Sequence, residues 1–138
     1  MVHYCSGDWR SFSPALTGDL ARADAQGNIY IVDRLKRMIN ASGYKVWPAE
    51  VETKLYQHPA IAEVCVIGAK DDYRGETVKA VAVLQPGASL DARELTTWAH
   101  DYMAAYKVPR LLEIVDHLPK SAAGKVLWRE LQDREDAS

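Results

Sequence analysis

The sequence predicts an α+β domain in which a β-hairpin precedes a roughly three-stranded sheet flanked by helices. Two observations carry the prediction. Runs rich in Val and Ile alternate with segments of helical periodicity, and the resulting order is hairpin, helix, strand, strand, helix, strand, helix. At 138 residues the chain has the length of one domain with a short leader, which is enough to bury a core.

Two hairpins are expected in the first third of the chain. Their strands are Leu20–Ala23, Asn28–Val32, Met38–Asn40 and Tyr44–Val46. Gly27 ends the first turn, Asp24–Gly27, and Gly43 ends the second, Ser42–Gly43. Glycine readily adopts the positive φ angles that tight hairpin turns require.

Three helices are predicted after the hairpins. They run from Pro48 to a stop at His58-Pro59, from Asp91 to about Tyr102, and from Leu127 to about Arg134. Pro48 takes its favoured first-turn position, and Val51, Leu55 and Tyr56 give the first helix an apolar stripe. An Asp91–Glu94 capping box begins the second helix.

Three further strands are predicted between these helices. They are Ile61–Ile67, Thr77–Leu84 and Leu111–Val115, each rich in apolar residues. The residues between the first two strands, Lys70–Gly75, are mostly charged and predict a loop. Cys65 falls within the first of these strands, where we expect it to be buried.

Composition and charge exclude several classes of function. The formal net charge of −2 gives no electrostatic reason to expect a nucleic-acid partner. No apolar run approaches the roughly 18 residues of a membrane span, and no basic-then-apolar leader indicates secretion. Cys5, Cys65 and the histidines lack metal-ligand spacing. We therefore expect a cytoplasmic protein with no metal site of its own, no membrane span and no structural disulfide.

Three segments carry a resemblance to a known family. They are Thr17-Gly18-Asp19, the run from Asp33-Arg34-Leu35-Lys36 through Ser42-Gly43-Tyr44-Lys45 to Glu52, and Pro119-Lys120-Ser121-Ala122-Ala123-Gly124-Lys125. In this order they resemble the last blocks of acyl-CoA synthetases, in particular fatty-acyl-CoA ligases, of the adenylate-forming (AMP-binding) family. That family activates a carboxylic acid with ATP to an acyl-adenylate and then transfers the acyl group to a thiol. The resemblance runs from about Thr17 to Leu131 and covers the small, mobile C-terminal domain.

The resemblance implies that Lys125 is catalytic and that Asp19 and Arg34 bind the nucleotide. A lysine ammonium is a mobile positive charge that neutralises negative charge developing at phosphorus. The two oxygens of the Asp19 carboxylate suit the vicinal hydroxyls of a ribose, and Arg34 is expected at the ribose or a phosphate. The family usually has a basic or aromatic residue where this chain has Leu16. A Gly-Lys pair by itself would indicate only a solvated surface lysine.

Lys36 aligns with the residue about which the family's small domain rotates. A hinge needs only to tolerate a large change in φ and ψ. Residues 1–32 are accordingly expected to be a leader and hairpin that belong to the end of the large N-terminal domain. Residues 33–36 are the expected hinge, and residues 37–138 are the expected C-terminal lid domain.

Gly43, Tyr44 and Lys45 resemble the loop that lines the pantetheine tunnel during thiol transfer. Gly43 lets the backbone approach a thin ligand, and Lys45 stands where a basic residue can meet the phosphates of coenzyme A. Lys107 is a further candidate for the same phosphates. A tight turn between two strands accounts for Gly43 as well, so both interpretations stay open.

Most of the machinery for this chemistry is absent from these residues. The chain contains no Gly-rich phosphate loop, and it has no counterpart of the acyl pocket or the large adenine-binding domain. The resemblance implies ATP with Mg²⁺ and coenzyme A as co-substrates of the full-length enzyme, none of them bound firmly by this chain alone. The implied partners are the N-terminal AMP-binding domain, a small carboxylic acid and coenzyme A. The isolated chain is expected to be inactive.

Two alternatives remain. Peptide-synthetase adenylation domains share the same blocks, so the thiol acceptor is open. A free-standing, non-catalytic module that binds a partner is the alternative from another class, although such a module has no use for Lys125, Asp19 and Arg34. The carboxylic acid cannot be read from these residues, because acyl specificity resides in the missing domain.

Overall fold

The structure is a computed structural model that describes residues 3–4, 19–23, 25–34 and 37–138. It divides into two compact units, Met1–Met38 and Ile39–Ser138. The strands of the first unit are β1 (His3–Tyr4), β2 (Asp19–Ala23) and β3 (Ile29–Arg34). β2 and β3 pair antiparallel, which confirms the first predicted hairpin, and β1 runs parallel to β2. Gly27 in the hairpin turn has a φ of 88°.

The second unit is a five-stranded sheet with three helices, which confirms the α+β prediction. Its strands are β4 (Ile39–Ala41), β5 (Tyr44–Val46), β6 (Ile61–Asp71), β7 (Gly75–Leu84) and β8 (Leu111–Ile114), and its helices are α1 (Pro48–Leu55), α2 (Ala92–His100) and α3 (Trp128–Asp136). The strand order is β5-β4-β7-β6, with β8 also paired to β7. The pairs are antiparallel except β7–β8, which is parallel. The second predicted hairpin, β4–β5, joins this sheet where Ala41 pairs with Gly75.

The β6–β7 hairpin is longer than the sequence pattern predicted. β6 continues past Ile67, and the expected charged loop Lys70–Gly75 shrinks to a turn at residues 72–74. Pairing extends as far as Asp71 and Gly75, and the Asp71 carboxylate accepts two backbone hydrogen bonds within the turn, at 2.9 and 2.8 Å. Charged residues indicated a loop, but at a hairpin end their backbones can pair while their side chains reach solvent.

Helix α1 begins at Pro48, as predicted, but its apolar stripe differs from the expectation. Pro48, Val51 and Leu55 are buried, whereas Tyr56 is 50% exposed. The expectation for Tyr56 is wrong because the helix ends at Leu55 and Tyr56 is already its C-cap.

The other two helices differ from the predictions only at their ends. α2 begins with the expected capping box: the Asp91 carboxylate accepts from the Glu94 N–H at 2.7 Å, and the Asp91 N–H donates to the Glu94 carboxylate at 3.1 Å. It ends at His100, two residues before the predicted Tyr102, and α3 ends two residues later than predicted. Shifts of this size are normal where helix ends fray.

β6 and β7 are buried on both sides, and alternate side chains separate into two clusters. The first cluster holds Val64 and Val66 of β6 with Val78, Ala80 and Ala82 of β7, packed against apolar residues of β4, β5, α1 and α2. The second holds Cys65, Ile67 and Val81 with Leu118 and Leu131. Cys65 is buried, as predicted. We call these two sides of the sheet the α1 face and the α3 face.

Side chains cover the outer edge of β6, which has no strand partner among the described residues. The side-chain amide of Gln132 in α3 accepts from the Gly68 N–H (3.0 Å) and donates to the Gly68 carbonyl oxygen (2.8 Å), as one residue of a neighbouring strand would. Glu52 of α1 accepts from the Val66 N–H at 2.9 Å. These hydrogen bonds attach α1, on one face of the sheet, and α3, on the other face, to the same edge of β6.

A cluster of charged side chains ties α3 to the middle of the sheet. The Lys79 ammonium lies 2.9 Å from a Glu113 carboxylate oxygen and 2.5 Å from one of Glu135, and Arg134 pairs with Glu113 at 2.8 Å. Burial alone would lower the pKa of Lys79, but its hydrogen bonds to the two acids outweigh burial and raise that pKa above the ordinary 10.5. The hydrogen bond from Lys79 is the main cause that lowers the pKa of Glu113 below its ordinary 4.5.

Gln132→Ala is expected to lower the free energy of unfolding by about 1–3 kcal/mol, because it leaves both backbone polar groups of Gly68 unpaired at a partly buried edge. Asp133→Ala is the matched control. Asp133 is the exposed neighbour on the same helix, and its loss should change stability by less than about 0.5 kcal/mol. Urea unfolding measures the difference, and equal midpoints for the two variants would show that Gln132 does not protect the edge.

Lys79→Met is expected to lower the free energy of unfolding at pH 7 by about 1–2 kcal/mol, because two partly exposed carboxylates lose their shared cation. The folded-state pKa of Glu113 is lowered, so its contribution is present above about pH 4.5 and is lost as the pH falls through the folded pKa. The raised pKa of Lys79 acts in the opposite direction. Its contribution is present below about pH 10.5 and is lost as the pH rises further.

Urea titrations at pH 7 and at pH 3 measure this effect. The gap in stability between the natural chain and Lys79→Met should be smaller at pH 3 than at pH 7, because the contribution of Glu113 is lost as the pH falls from 4.5 through its lowered folded pKa. Lys70→Met replaces an exposed lysine and serves as the control at both pH values. A gap of the same size at both pH values would show that the loss does not come from the ion pair with Glu113.

Candidate functional site

Lys125 lies at the end of a tight loop on the α3 face. Lys120 and Val126 form an isolated antiparallel bridge at the base of the loop. Above it, the Ser121 N–H donates to the Lys125 carbonyl oxygen (2.8 Å) and the Gly124 N–H donates to the Ser121 carbonyl oxygen (2.9 Å). Gly124 has a φ of 82°, which residues with a side chain rarely adopt. This segment, residues 121–125, is here called the Lys125 loop.

The Lys125 side chain is exposed, and none of the ion pairs among the described residues involves it. Lys79, Lys107 and Lys120, by contrast, are each held by glutamate side chains. An ammonium group without an internal carboxylate partner can bind an external anion such as a phosphate or a carboxylate. The local chemistry therefore fits the role that the sequence predicted for Lys125.

The two ends of the Lys125 loop are anchored to the sheet. The Lys120 ammonium pairs with the Glu63 carboxylate of β6. Leu118, which precedes the loop, is buried in the α3-face cluster, and Val126, which follows it, packs against the same cluster. Burial of the flanking residues fixes where the loop leaves the sheet, so the position of Lys125 depends on the fold of the loop itself.

A second group of candidate residues lies on the α1 face, around the turn between β4 and β5. Ser42 and Gly43 form the turn, with φ angles of 56° and 83°. Tyr44 stacks on Tyr106, with ring centroids 4.8 Å apart and planes inclined by 19°. The Lys107 ammonium lies 5.6 Å from the centroid of the Tyr106 ring. The fold thus brings Tyr44 and Lys107, which are distant in sequence, against one tyrosine.

Lys107 is held by an ion pair. Its ammonium lies 2.6 Å from a carboxylate oxygen of Glu50 in α1. Burial acts to lower the pKa of Lys107, but Glu50 and Tyr106 together raise it above the ordinary 10.5. Lys107 is therefore charged at neutral pH, and an anionic ligand has to compete with Glu50 for it. Sequence spacing gave no signal for the Glu50–Lys107 pair or for the Tyr44–Tyr106 stack, because only tertiary packing joins them.

A groove of about 210 Å³ adjoins this group, between α1 and the segment that follows α2. Its lining residues are Glu50, Val51, Lys54, Tyr102, Met103, Ala104 and Lys107. Tyr102 stacks on Trp98, with ring centroids 4.3 Å apart, which fixes one wall. The groove combines apolar and aromatic walls with two ammonium groups and one carboxylate.

Lys45 projects away from this group. Side chains alternate along a strand, so Tyr44 and Val46 share one side of β5 and Lys45 points from the other. Val46 is buried and Lys45 is exposed, and Tyr44 at the start of the strand is also exposed but stacks on Tyr106. Of the four residues predicted to contact coenzyme A, the structure groups Gly43, Tyr44 and Lys107 and separates Lys45.

The Lys125 loop and the Tyr44–Lys107 group lie on opposite faces of one sheet. Val126 packs on the α3-face cluster, whereas Tyr106 packs on the α1-face cluster. β6 and β7 therefore lie between the two groups.

The two residues predicted to bind the nucleotide are neighbours in the first unit. Asp19 begins β2, Arg34 ends β3, and the two are direct partners in the antiparallel register. The hairpin therefore carries both at the same end, which sequence distance alone did not reveal. Lys36, the predicted hinge residue, lies outside the described residues.

The part of the chain that the structure describes contains no group of three or more His, Cys, Asp or Glu side chains that could hold a metal ion. Each helix in that part is too short or too polar to cross a membrane. Neither finding bears on residues beyond it.

Comparison with known proteins gives a family match and close relatives. Residues 50–125 match the family described as AMP-binding enzyme C-terminal domain. The chain is 50% identical over 119 residues to a long-chain-fatty-acid–CoA ligase of Bacillus subtilis (strain 168), a match that covers 86% of this chain and 21% of that protein.

Solved structures agree with the sequence match. The Mycobacterium tuberculosis fatty acyl CoA synthetase superposes with a TM-score of 0.76 at 33% identity, over 88% of this chain and 24% of that one. The o-succinylbenzoate CoA synthetase of Bacillus subtilis, in complex with the acyl-adenylate intermediate OSB-AMP, gives 0.74 at 39% identity, over 85% and 24%. The chain therefore spans between about a fifth and a quarter of the length of these relatives.

Proposed function

The chain belongs to the AMP-binding enzyme C-terminal domain family, and from this membership we propose that it is the C-terminal part of an ATP-dependent acyl-CoA ligase. The reaction is that of a carboxylic acid with ATP and coenzyme A, which yields acyl-CoA, AMP and pyrophosphate. In its first half the carboxylate oxygen attacks the α-phosphorus and displaces pyrophosphate. In its second half the thiol sulfur attacks the acyl carbon and AMP leaves.

The observation that carries the proposal is the placement of the two candidate groups on opposite faces of the β6–β7 sheet. A domain that serves two half-reactions at one active site has to present a different surface for each. The Lys125 loop on the α3 face suits the first half-reaction, and the Tyr44–Lys107 group on the α1 face suits the second. Rotation about the segment that contains Lys36 exchanges the two faces.

Lys125 is the proposed catalytic residue of adenylate formation. Its exposed ammonium, free of ion pairs among the described residues, would meet the carboxylate and the α-phosphate as negative charge grows there. Asp19 and Arg34, paired across the first hairpin, are proposed to contact the ribose and a phosphate of the same nucleotide. Mg²⁺ would accompany ATP as part of the co-substrate of the full-length enzyme.

The turn at Gly43 is proposed to line the path of the pantetheine arm in the second half-reaction. Tyr44 and Lys107 would border that path, and the Lys107 ammonium would turn from Glu50 to a phosphate of coenzyme A. Lys45 would reach the phosphates only from the other side of β5. The partner in both half-reactions is the N-terminal AMP-binding domain of the same enzyme.

The proposed acyl substrate is a fatty acid. Support comes from the relatives named as long-chain-fatty-acid–CoA ligase in Bacillus subtilis and Yersinia pestis, at 50% and 46% identity, and from the fatty acyl CoA synthetase structure. The choice of acid is proposed to rest with the remainder of the enzyme.

Lys125→Ala in the full-length enzyme is expected to slow adenylate formation by about 100-fold or more, because one preorganised cation at the developing charge is lost. Thioester formation from supplied acyl-adenylate and coenzyme A should stay within about twofold of the natural enzyme, since Lys125 then faces away from the thiol. Pyrophosphate release measures the first step, and acyl-CoA formation from acyl-adenylate measures the second.

Lys70→Ala is the control for this experiment, because Lys70 is also an exposed lysine, near the end of β6. It should leave both half-reactions unchanged. Equal loss of both half-reactions in Lys125→Ala would contradict the division of roles between the two faces.

The 138-residue chain by itself is expected to form no acyl-CoA from ATP, coenzyme A and a fatty acid, because groups on several sides of the substrate are needed to stabilise the transition state. AMP release should equal that of a blank without protein, with the full-length enzyme as the positive control. Acid-dependent AMP release by the chain alone, abolished by Lys125→Ala, would show that the chain is self-sufficient.

A further inference from the structure

Three hydrogen bonds close the Lys125 loop, and Ser121 takes part in each of them. Its N–H donates to the Lys125 carbonyl oxygen at 2.8 Å, and its carbonyl oxygen accepts from the Gly124 N–H at 2.9 Å. Its hydroxyl oxygen accepts from the Lys125 N–H at 3.3 Å. Two of the three bonds therefore end on the backbone of Lys125.

No other side chain of the loop can replace the Ser121 hydroxyl as the hydrogen-bond acceptor for the Lys125 N–H. Ala122 and Ala123 are exposed methyl groups and Gly124 has no side chain. The loop therefore gains nothing from burial, and its shape depends on hydrogen bonds and on the positive φ of Gly124. The Ser121 hydroxyl is the only side-chain group among these residues, which the structure describes in full, that fixes the lysine backbone.

We propose that Ser121 is a positioning residue for adenylate formation: its hydroxyl holds the backbone of Lys125 so that the ammonium is presented at the reacting phosphate. The inference rests on the proposed function of Lys125. A lysine has a long, flexible side chain, so the backbone from which it starts decides which positions its ammonium can reach. When the loop is loosened, the bound geometry is reached less often and the rate of the chemical step falls.

Loss of the hydroxyl should leave the fold of the domain intact. The loop is exposed, while its two ends are held by the Lys120–Val126 bridge and the Lys120–Glu63 ion pair. Neither of these contacts uses the Ser121 hydroxyl. The effect of Ser121→Ala should therefore appear in the first half-reaction rather than in stability.

Ser121→Ala and Ser121→Thr in the full-length enzyme test the proposal. Ser121→Ala should lower kcat for adenylate formation about five- to tenfold, the effect of one neutral hydrogen bond, with KM for ATP unchanged within about twofold. Ser121→Thr keeps the hydroxyl and should restore most of the rate. Thioester formation from supplied acyl-adenylate should be unaffected in both variants.

A double-mutant cycle separates positioning from an independent contribution. If Ser121 acts only through Lys125, Ser121→Ala should cause no further loss in the Lys125→Ala background. A five- to tenfold loss that persists in that background, equal to the loss in the natural enzyme, would assign Ser121 a role of its own and overturn the proposal.

Substitutions at Gly124 are a second test of how the conformation of the Lys125 loop affects adenylate formation. Gly124→Ala strains the positive φ, while a methyl group there meets no atom within 4 Å, so the change acts through backbone conformation alone. It should lower adenylate formation, and Gly124→Asn should lower it less, because Asn tolerates a positive φ better. Gly87→Ala is the matched control, since Gly87 also has a positive φ, of 76°, with open space around it.

The outcomes distinguish this inference from the function on which it rests. If Lys125→Ala leaves adenylate formation unchanged, the proposed function of Lys125 fails regardless of Ser121. If Lys125→Ala abolishes adenylate formation while Ser121→Ala matches the natural enzyme, or slows both half-reactions equally, only the positioning role fails. Selective loss in Ser121→Ala and Gly124→Ala, with Gly87→Ala unchanged, supports the proposal.

Discussion

The antiparallel pairing of β6 with β7 is the interaction on which the rest of the domain depends. It extends from Ile61 and Leu84 to Asp71 and Gly75. Val64–Ala69 is a continuous buried run, so both sides of the hairpin need a cover. α1, α2 and the β4–β5 hairpin cover one side and α3 the other. The remaining edge of β6 is closed by side chains of α1 and α3, which locks both layers onto one strand.

This constraint also decides where functional groups can lie. Segments that connect the covering helices to the sheet emerge on whichever face their helix packs. The Lys125 loop precedes α3 and therefore opens on the α3 face, whereas Tyr44 and Lys107 flank the layer of α1 and α2. A sheet buried on both sides therefore gives this unit two separate surfaces at fixed positions.

The charged residues divide into those that hold the domain together and those that are available to a ligand. Lys79 is enclosed by Glu113 and Glu135, and its pKa is raised by them in spite of burial. Lys107 is paired with Glu50 but lies beside a groove, so it can exchange one anion for another. Lys125 has no ion-pair partner in the part of the chain that the structure describes. The paired lysines thus join separate elements of the fold, whereas Lys125 stands on a hydrogen-bonded loop with no ion pair among the described residues.

Local patterns in the sequence determined the α+β class, the helix starts at Pro48 and Asp91 and both hairpins, because turn chemistry, capping and side-chain periodicity act over a few residues. They gave a wrong prediction at the end of β6, where charged residues indicated a loop but the strands stay paired. They were also wrong for Tyr56, which was expected in the apolar stripe of α1 but is the C-cap of that helix. Only the tertiary structure decided that Asp19 lies opposite Arg34, that Tyr44 and Lys107 share Tyr106, and that Lys45 points away. These relations depend on strand register and on which face a helix covers, and burial in a common core fixes both over distances that no local pattern spans.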